Sequence, residues 1–327
     1  MTKLNVYSEQ KEKPGFAWGN NELDKNAMGG TEMMKYGLYD RLPEELRDKY
    51  QIITSRVREL DGRPAILWLH DLWNDPEAQH LKDPKSRERF KKLVFVSNFQ
   101  AYGYHMGLGV PYDQSMVLRN AIEPIEMIDG EKPTDKVNLI YHTTPHRGLN
   151  ILCAAYEQLS KHYEDKVHLD VYSSFEAYGW PQRDEEFKEL FDFCREHPHI
   201  TYHGYQPNDV VREALKKAHI FAYPSTWMET SCIAAIEAMS AAACVVCPNY
   251  GALPETTGGF AHMYQFSEDL NTNANRFVRI LNDTIKSIEN EQMIAKLNMQ
   301  KAWTDSFFCW DYRAAEWENF LASLENE

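Results

Sequence analysis

Residues 224–239 read PSTWMETSCIAAIEAM, and this stretch guides both the fold assignment and the search for a site. From Cys232 onward the residues are apolar on nearly every side of a helix, which predicts a buried helix. Glu237 interrupts that apolar run, and a buried carboxylate is costly unless it is paired or hydrogen-bonded. A buried salt bridge or a bound diol such as a ribose would satisfy it. Glu229 precedes the helix and is expected to project from its loop toward a ligand.

Short apolar runs alternate with helical patterns on both sides of this stretch, which is typical of parallel α/β architecture. In the first half we expect strands near 4–7, 50–54, 65–69, 93–96 and 116–118. In the second half we expect strands at 137–141, 167–172, 200–203, 220–223 and 244–247, with helices at 150–162, 184–196, 207–217 and 231–241. The acidic segment 121–136 contains Pro and Gly and predicts a linker between two domains.

Length, charge and cysteine positions limit what kind of protein this can be. The 327 residues suggest two domains, and 35 Lys and Arg against 49 Asp and Glu give a net charge of -14. That charge disfavours duplex DNA as the primary ligand. Because the start of the chain lacks a signal-peptide pattern and no apolar run is long enough for a membrane span, we expect a cytoplasmic protein. The six cysteines are expected to be reduced, with Cys244 and Cys247 on a buried strand rather than in a metal site.

Two further loops carry residues that suit an anionic ligand. Gly29, Gly30 and Thr31 open a helical pattern, where paired glycines allow backbone N–H groups to approach an anion or form a plain tight turn. Arg147 lies between a predicted strand and an amphipathic helix. A guanidinium at that junction can neutralise a diphosphate, or it can be an ordinary exposed arginine.

The order and spacing of the motifs resemble the family 4 retaining glycosyltransferases of GT-B fold, over most of the chain. Glu229 and Glu237 form the E-x7-E motif, and the other matching segments are 29–30, 68–71, 96–98, 118–122, 147–149, 203–205, 223–225 and 310–317. The resemblance implies an α/β protein with two Rossmann-like βαβ domains facing each other across a cleft. These domains would span 1–131 and 132–305, and a C-terminal crossover helix at 306–327 would pack back on the first.

The resemblance also implies a role for each matching residue. Glu229 would contact donor-sugar hydroxyls, Glu237 would hold the nucleotide ribose, and Arg147 would replace the family's lysine that faces the diphosphate. His70 would lie beside the reacting sugar, and Gly30 would let the first domain's loop close on the donor. The implied catalytic residues are His70, Arg147 and Glu229. The implied donor-binding residues are Gly29, Gly30, Thr31, His142, His146, Arg147, Ser174, Tyr205, Thr230, Ser231, Cys232 and Glu237.

The sequence departs from the family's pattern at several positions. His142 stands where an additional arginine is frequent, so the diphosphate pocket has one fixed cation fewer, for which His142 or His146 could substitute only when protonated. Residues 230–232 read TSC where the family has Gly-Phe-Gly, and Ala242 stands where glycine is usual. The first domain is also short, which implies a reduced acceptor-binding surface.

The implied function is that of an enzyme, a retaining glycosyltransferase that moves a hexose from a nucleotide sugar to a hydroxyl acceptor. A UDP-sugar, UDP-glucose above all, is the favoured donor. The sequence contains no Asp-x-Asp, which predicts a metal-independent reaction without a cofactor. Two alternatives remain: a GT-B-shaped module that binds a nucleotide or glycan with little transfer, and a glucosyltransferase acting on modified nucleic-acid bases. The acceptor stays unidentified, and the acidic charge argues against a nucleic-acid partner.

Overall fold

The computed structural model describes residues 29–57, 59–128 and 130–326, and the chain forms two compact units. One unit comprises the residues up to Ala121 together with those from Phe308 onward. The other unit is Ile122–Phe307. The boundary therefore falls between Ala121 and Ile122, earlier than the expected boundary after residue 131. The strand predicted at 4–7 lies outside the described residues.

The segment expected to be a linker belongs to the second unit, because side chains of that unit bind its backbone. The Ile125 N–H donates to Ser240 Oγ at 2.8 Å, and Arg212 Nη2 donates to the Glu123 carbonyl oxygen at 2.7 Å. Lys301 Nζ also donates to the Ile125 carbonyl oxygen. Proline and glycine here mark an extended segment that is fixed to the protein rather than an independent connection.

The described part of the first unit forms a parallel sheet with helical connections. Its elements in chain order are α1 (Gly30–Arg41), α2 (Glu44–Lys49), β1 (Gln51–Thr54), β2 (Ala65–Leu69), a 3-10 helix (Pro76–Lys82), α3 (Pro84–Arg87), β3 (Phe90–Phe95), α4 (Asn98–Leu108), a 3-10 helix (Tyr112–Gln114) and β4 (Ser115–Val117). The strand order is β1-β2-β3-β4. Every residue of β2 is buried, as expected for a strand that is covered on both faces.

The second unit contains a six-stranded parallel sheet within its described residues. Its elements are β5 (Val137–Tyr141), a 3-10 helix (Pro145–Arg147), α5 (Leu149–Tyr163), a 3-10 helix (Glu164–Lys166), β6 (Val167–Val171), two 3-10 helices (Phe175–Tyr178, Pro181–Phe187), α6 (Lys188–Glu196), β7 (Ile200–Tyr202), α7 (Asn208–Lys217), β8 (Ile220–Ala222), α8 (Ile233–Ser240), β9 (Cys244–Pro248), α9 (Leu253–Thr256), β10 (His262–Tyr264), α10 (Leu270–Ser287) and α11 (Glu291–Phe307). The α/β prediction is confirmed, and β10 is an additional strand that was not predicted.

The strand order of the second sheet is β10-β9-β8-β5-β6-β7, and it reverses between β5 and β8. The chain runs outward from β5 through β6 and β7 and then crosses to β8 on the other side of β5. The loops that follow β5 and β8 therefore both begin at the carboxyl ends of the strands and lead away in opposite directions. In open parallel sheets a ligand binds at such a switch point, so the fold directs attention to these two loops.

The C-terminal helix α12 (Trp310–Ser323), which a 3-10 turn at Leu324–Asn326 follows, belongs to the first unit. The indole of Trp310 lies against α1 so closely that a Cβ on Gly37 would be 2.2 Å from a ring atom. Trp317 packs edge-on against Trp68 of β2, with ring centroids 4.8 Å apart. The two tryptophans thus fix α12 to a helix and a strand of the first unit.

Five of the six cysteines are buried and outside any disulfide: Cys153, Cys194, Cys232, Cys244 and Cys247. All residues of β9 are buried, which confirms the buried strand predicted around Cys244 and Cys247. Among the described residues, no group of three or more His, Cys, Asp or Glu side chains is arranged to hold a metal ion. None of the helices within the described ranges is long and apolar enough to cross a membrane.

Candidate active site

Two glycines allow the backbone segments around the switch point to approach each other. Gly148 has a φ of +111°, and a Cβ at this position would lie 2.2 Å from the Pro224 carbonyl oxygen. Gly251 has a φ of +60°, and its Cβ would lie 2.6 Å from the Glu229 nitrogen. The Ala252 N–H donates to the Glu229 carbonyl oxygen at 2.8 Å. The backbone of Glu229 is therefore held in place by the loop that follows β9, and a larger residue at Gly251 would displace it, whereas one at Gly148 would displace the Pro224 carbonyl.

Arg147 and Glu229 form an ion pair at this edge of the sheet. Arg147 Nη1 lies 2.6 Å from Glu229 Oε1, and the two side chains are only 19% and 6% exposed. Arg147 Nη2 donates to the Tyr178 hydroxyl at 3.3 Å, and the guanidinium carbon is 5.5 Å from the centroid of the Trp227 ring. Burial acts to lower the pKa of Arg147, but the Glu229 carboxylate, together with Tyr178, Tyr223 and Cys232, raises that pKa well above its ordinary value. The loops thus provide a permanent cation beside a carboxylate.

Tyr223 binds the same carboxylate oxygen of Glu229. Its hydroxyl donates to Glu229 Oε1. Tyr223 is completely buried at the end of β8, and its ring stacks on Phe221 with centroids 5.0 Å apart. Burial raises the pKa of Tyr223 well above its ordinary value, so the phenol remains protonated and acts as a donor. Tyr223 belongs to the matching segment 223–225, but its contact with Glu229 was not predicted, because no local pattern of residues links the two.

Glu237 lies on α8, and its carboxylate accepts hydrogen bonds from two side chains on α7. Arg212 Nη1 donates to Glu237 Oε1 at 3.0 Å, and Asn208 Nδ2 lies 3.2 Å from both carboxylate oxygens. Glu237 is only 3% exposed. Of the two possibilities that the sequence left open, the structure contains the buried salt bridge. A ribose would have to share the carboxylate with these partners.

His142 and His146 flank Arg147 without adding positive charge near pH 7. Burial lowers the pKa of His142 to about 3, and its enclosed Nε2 has no hydrogen-bond partner among the described residues. Burial, assisted by the nearby Arg147 and Arg183, lowers the pKa of His146 to about 4. Neither histidine therefore supplies the missing positive charge at neutral pH. In these loops the charge comes from Arg147.

The other expected donor-binding residues of the second unit follow other strands or lead into α8. Ser174 follows β6, and its hydroxyl donates to Asp184 and accepts from the Glu176 N–H at 2.9 Å. This hydroxyl caps a 3-10 helix, which leaves its expected role in donor binding without support. Tyr205 follows β7, the strand at the edge of the sheet, and is half-buried. Residues 230–232 lead directly into α8, whose first-turn N–H groups point toward the chain before it.

The expected site residues of the first unit lie at the start of α1 and the end of β2. Gly29 is the N-cap of α1 with a φ of -73°, which any residue adopts, and Gly30 and Thr31 begin the helix. His70 follows β2, with its ring 4.7 Å from that of Trp68. Burial lowers the pKa of His70 to about 3, so its imidazole is neutral. The roles expected for these residues toward a donor remain predictions.

The two parallel-sheet units match the GT-B fold of several solved glycosyltransferases. The structure is similar to a glycosyltransferase from Rickettsia africae, with a TM-score of 0.69 and 13% identity over 90% of this chain and 81% of the other. It is also similar to the HepE protein of Anabaena solved with UDP and glucose (TM-score 0.63, 16% identity, 80% and 72% covered). A third similar structure is sucrose-phosphate synthase from Thermosynechococcus elongatus (TM-score 0.62, 15% identity, 85% and 74% covered). At such low identity these similarities establish the fold.

The sequence profile described as "Glycosyl transferases group 1" matches residues 127–298, which is more than half of the chain. The chain therefore belongs to this family, and it is a glycosyltransferase. The matched region contains the pair formed by Arg147 and Glu229 and also Glu237. A sequence search of the curated proteins finds no significant match.

Proposed function

We propose that this enzyme is a retaining, metal-independent glycosyltransferase that transfers glucose from UDP-glucose to a hydroxyl group of an acceptor. The observation that carries the proposal is the pairing of Arg147 with Glu229 at the switch point of the second sheet. A nucleotide sugar has a diphosphate that suits a guanidinium and hydroxyl groups that suit a carboxylate. The similar fold of the Anabaena protein, which was also solved with UDP-glucose, favours a UDP-sugar as the donor.

Arg147 would bind the diphosphate through its planar fork of N–H groups, which matches two phosphate oxygens. Because Arg147 is paired with Glu229, the diphosphate has to displace this carboxylate from Arg147 or share the guanidinium with it. The N-terminal end of α8, reached through residues 230–232, adds backbone N–H groups and a favourable helix dipole for an anion. Glu229 would then accept hydrogen bonds from the sugar hydroxyls while it stays bound to Tyr223.

The transfer breaks the bond between the anomeric carbon and the diphosphate oxygen. The acceptor oxygen forms its new bond to the anomeric carbon on the same face, and its proton passes to a phosphate oxygen of the leaving UDP. Negative charge grows on the diphosphate during this step, and Arg147 together with the start of α8 would stabilise it. Such electrostatic stabilisation is often the largest contribution to catalysis. This scheme requires neither a protein nucleophile nor a metal ion.

Other expected residues would contribute by hydrogen bonding. Glu237 would hold the ribose hydroxyls and share its carboxylate with Asn208 and Arg212. His142 and His70 are neutral, so each would act on the donor as a hydrogen-bonding imidazole rather than as a cation.

The proposal is tested by incubating the purified protein with UDP-, GDP- and ADP-sugars and measuring release of the nucleoside diphosphate, with and without EDTA. We expect fastest release from UDP-glucose, no loss with EDTA, and a product that keeps the anomeric configuration of the donor. Arg147→Ala should abolish release, whereas Arg195→Ala, a change at an exposed arginine on α6, should not. Binding of a donor without any release would favour a binding module, and loss of activity with EDTA would refute metal independence.

A further inference from the structure

We propose that Tyr223 is a positioning residue of the transfer reaction, whose hydroxyl holds Glu229 Oε1 so that Oε2 is presented to the donor sugar. This inference rests on the proposed function, because it assumes that Glu229 binds the sugar. It is carried by a direct hydrogen bond between the side chains of two residues that are 0% and 4% exposed.

The phenol of Tyr223 is anchored independently of Glu229. Tyr223 directly follows β8, and its N–H donates to the Val246 carbonyl oxygen of β9 at 2.9 Å. Its ring is nearly parallel to that of Phe221, with an interplanar angle of 13°, and lies 6.2 Å from the ring of Tyr141. A ring enclosed on all sides is kept in one rotamer by its packing. The hydroxyl therefore occupies a fixed point at the end of the strand.

Glu229 Oε1 accepts from two donors that differ in mobility and charge. Arg147 is long, partly exposed and charged, so a diphosphate can draw its guanidinium away from the carboxylate. Tyr223 is neutral and buried, so it has no such competing ligand. Among the described residues, no hydrogen bond engages Glu229 Oε2. Once Arg147 binds phosphate, Tyr223 is the contact that still orients the carboxylate.

Tyr141 provides a matched control within the same sheet. It is also fully buried and ends the neighbouring strand β5, but its hydroxyl donates to the Thr144 carbonyl oxygen at 2.9 Å. Tyr141→Phe and Tyr223→Phe each remove one buried hydroxyl without changing the ring. A merely structural role for Tyr223 predicts similar effects of the two changes, whereas a positioning role predicts that only Tyr223→Phe impairs turnover.

The kinetic test compares UDP release from UDP-glucose by the wild type, Tyr141→Phe, Tyr223→Phe, Glu229→Gln and the double variant Tyr223→Phe/Glu229→Gln. We expect kcat to fall about tenfold or more in Tyr223→Phe, with a smaller change in KM, and to stay within about twofold in Tyr141→Phe. In the Glu229→Gln background, Tyr223→Phe should have almost no further effect, because the group that it positions has already been changed. Equal effects of the two Tyr→Phe changes, or independent effects of Tyr223→Phe and Glu229→Gln, would overturn the inference.

The contact is also tested without a donor, by urea unfolding of the same double-mutant cycle. A hydrogen bond to a buried carboxylate should couple Tyr223 and Glu229 by about tenfold in the folding equilibrium constant. Coupling below about twofold would overturn the inference even if the enzyme is active. If the wild type releases nucleotide from no donor, the proposed function fails and the catalytic part of the inference fails with it. In that case the urea-unfolding cycle still tests the hydrogen bond between Tyr223 and Glu229.

Discussion

The guanidinium of Arg147 and the carboxylate of Glu229 lie 2.6 Å apart where the second sheet reverses its strand order. Glu229 is the main charge that raises the pKa of Arg147, and both side chains are largely buried. A diphosphate that binds Arg147 has to compete with Glu229. The ion pair is therefore expected to affect both the free energy of unfolding and the affinity for UDP. These two quantities can be measured separately.

Removing one partner of the ion pair should destabilise the protein more than removing both. We expect Arg147→Met to lower the free energy of unfolding by about 3 kcal/mol, because the buried Glu229 carboxylate would keep only one neutral donor. The double variant Arg147→Met/Glu229→Gln should recover at least half of that loss. Urea denaturation monitored by fluorescence measures both values. A double variant that is less stable than Arg147→Met would contradict this account of the pair.

Glu229→Gln should separate UDP binding from turnover. Without the carboxylate, Arg147 no longer has to leave an ion pair, so we expect free UDP to bind several-fold more tightly than to the wild type. Turnover of UDP-glucose should nevertheless fall by at least about 100-fold, since the contact with the sugar is lost. Isothermal titration with UDP and the release assay measure the two effects. Unchanged or weaker UDP binding would show that the pair does not compete with the diphosphate.

Glu237→Gln should reveal whether this carboxylate binds ribose in addition to Arg212 and Asn208. We expect wild-type enzyme to prefer UDP over an analogue that lacks the 2′ and 3′ hydroxyls, and we expect the variant to lose most of that preference. Titration of both ligands into both proteins measures it. Equal weakening for UDP and the analogue would assign Glu237 a purely structural role in the salt bridge.

Ala242→Gly should stabilise the protein. Ala242 follows α8 with a φ of +52°, a left-handed conformation that favours glycine. Relief of a strain of about 1–2 kcal/mol exceeds the entropy that glycine adds to the unfolded chain, so we expect a net gain of about 0.5–1 kcal/mol. Ala241→Gly is the control, because Ala241 is fully buried with a φ of -83°, and we expect it to destabilise. A fall in Tm for Ala242→Gly would contradict the argument.

His142 should make the protein less stable as the pH falls. Burial lowers its pKa from 6.5 to about 3, so below pH 6.5 the unfolded chain binds a proton that the folded protein does not. Between pH 7.5 and 5.5 this difference should remove about 1.4 kcal/mol of the free energy of unfolding. His142→Asn should lose about that much less over the same interval. Urea unfolding at both pH values tests this, and parallel losses in wild type and variant would refute it.

The strands of the second unit could be predicted closely because buried parallel strands are apolar along their whole length. The predicted strand at 137–141 matches β5, and the strand at 244–247 differs from β9 by one residue. The helix predicted at 184–196 begins later, at Lys188, because Pro181 opens a 3-10 helix before it. The short strand β10 was missed, since three residues carry too little pattern to stand out.

The sequence by itself determined the alternation of strands and helices, the burial of α8 and the eight-residue separation of the two glutamates, because these features depend on residues close together in the chain. Only the tertiary structure decided the partners of each carboxylate. Arg147 meets Glu229 across 82 positions because β5 and β8 are neighbours, and Arg212 meets Glu237 across 25 positions because α7 packs on α8. Those contacts follow from strand order and helix packing, which no local pattern of residues encodes.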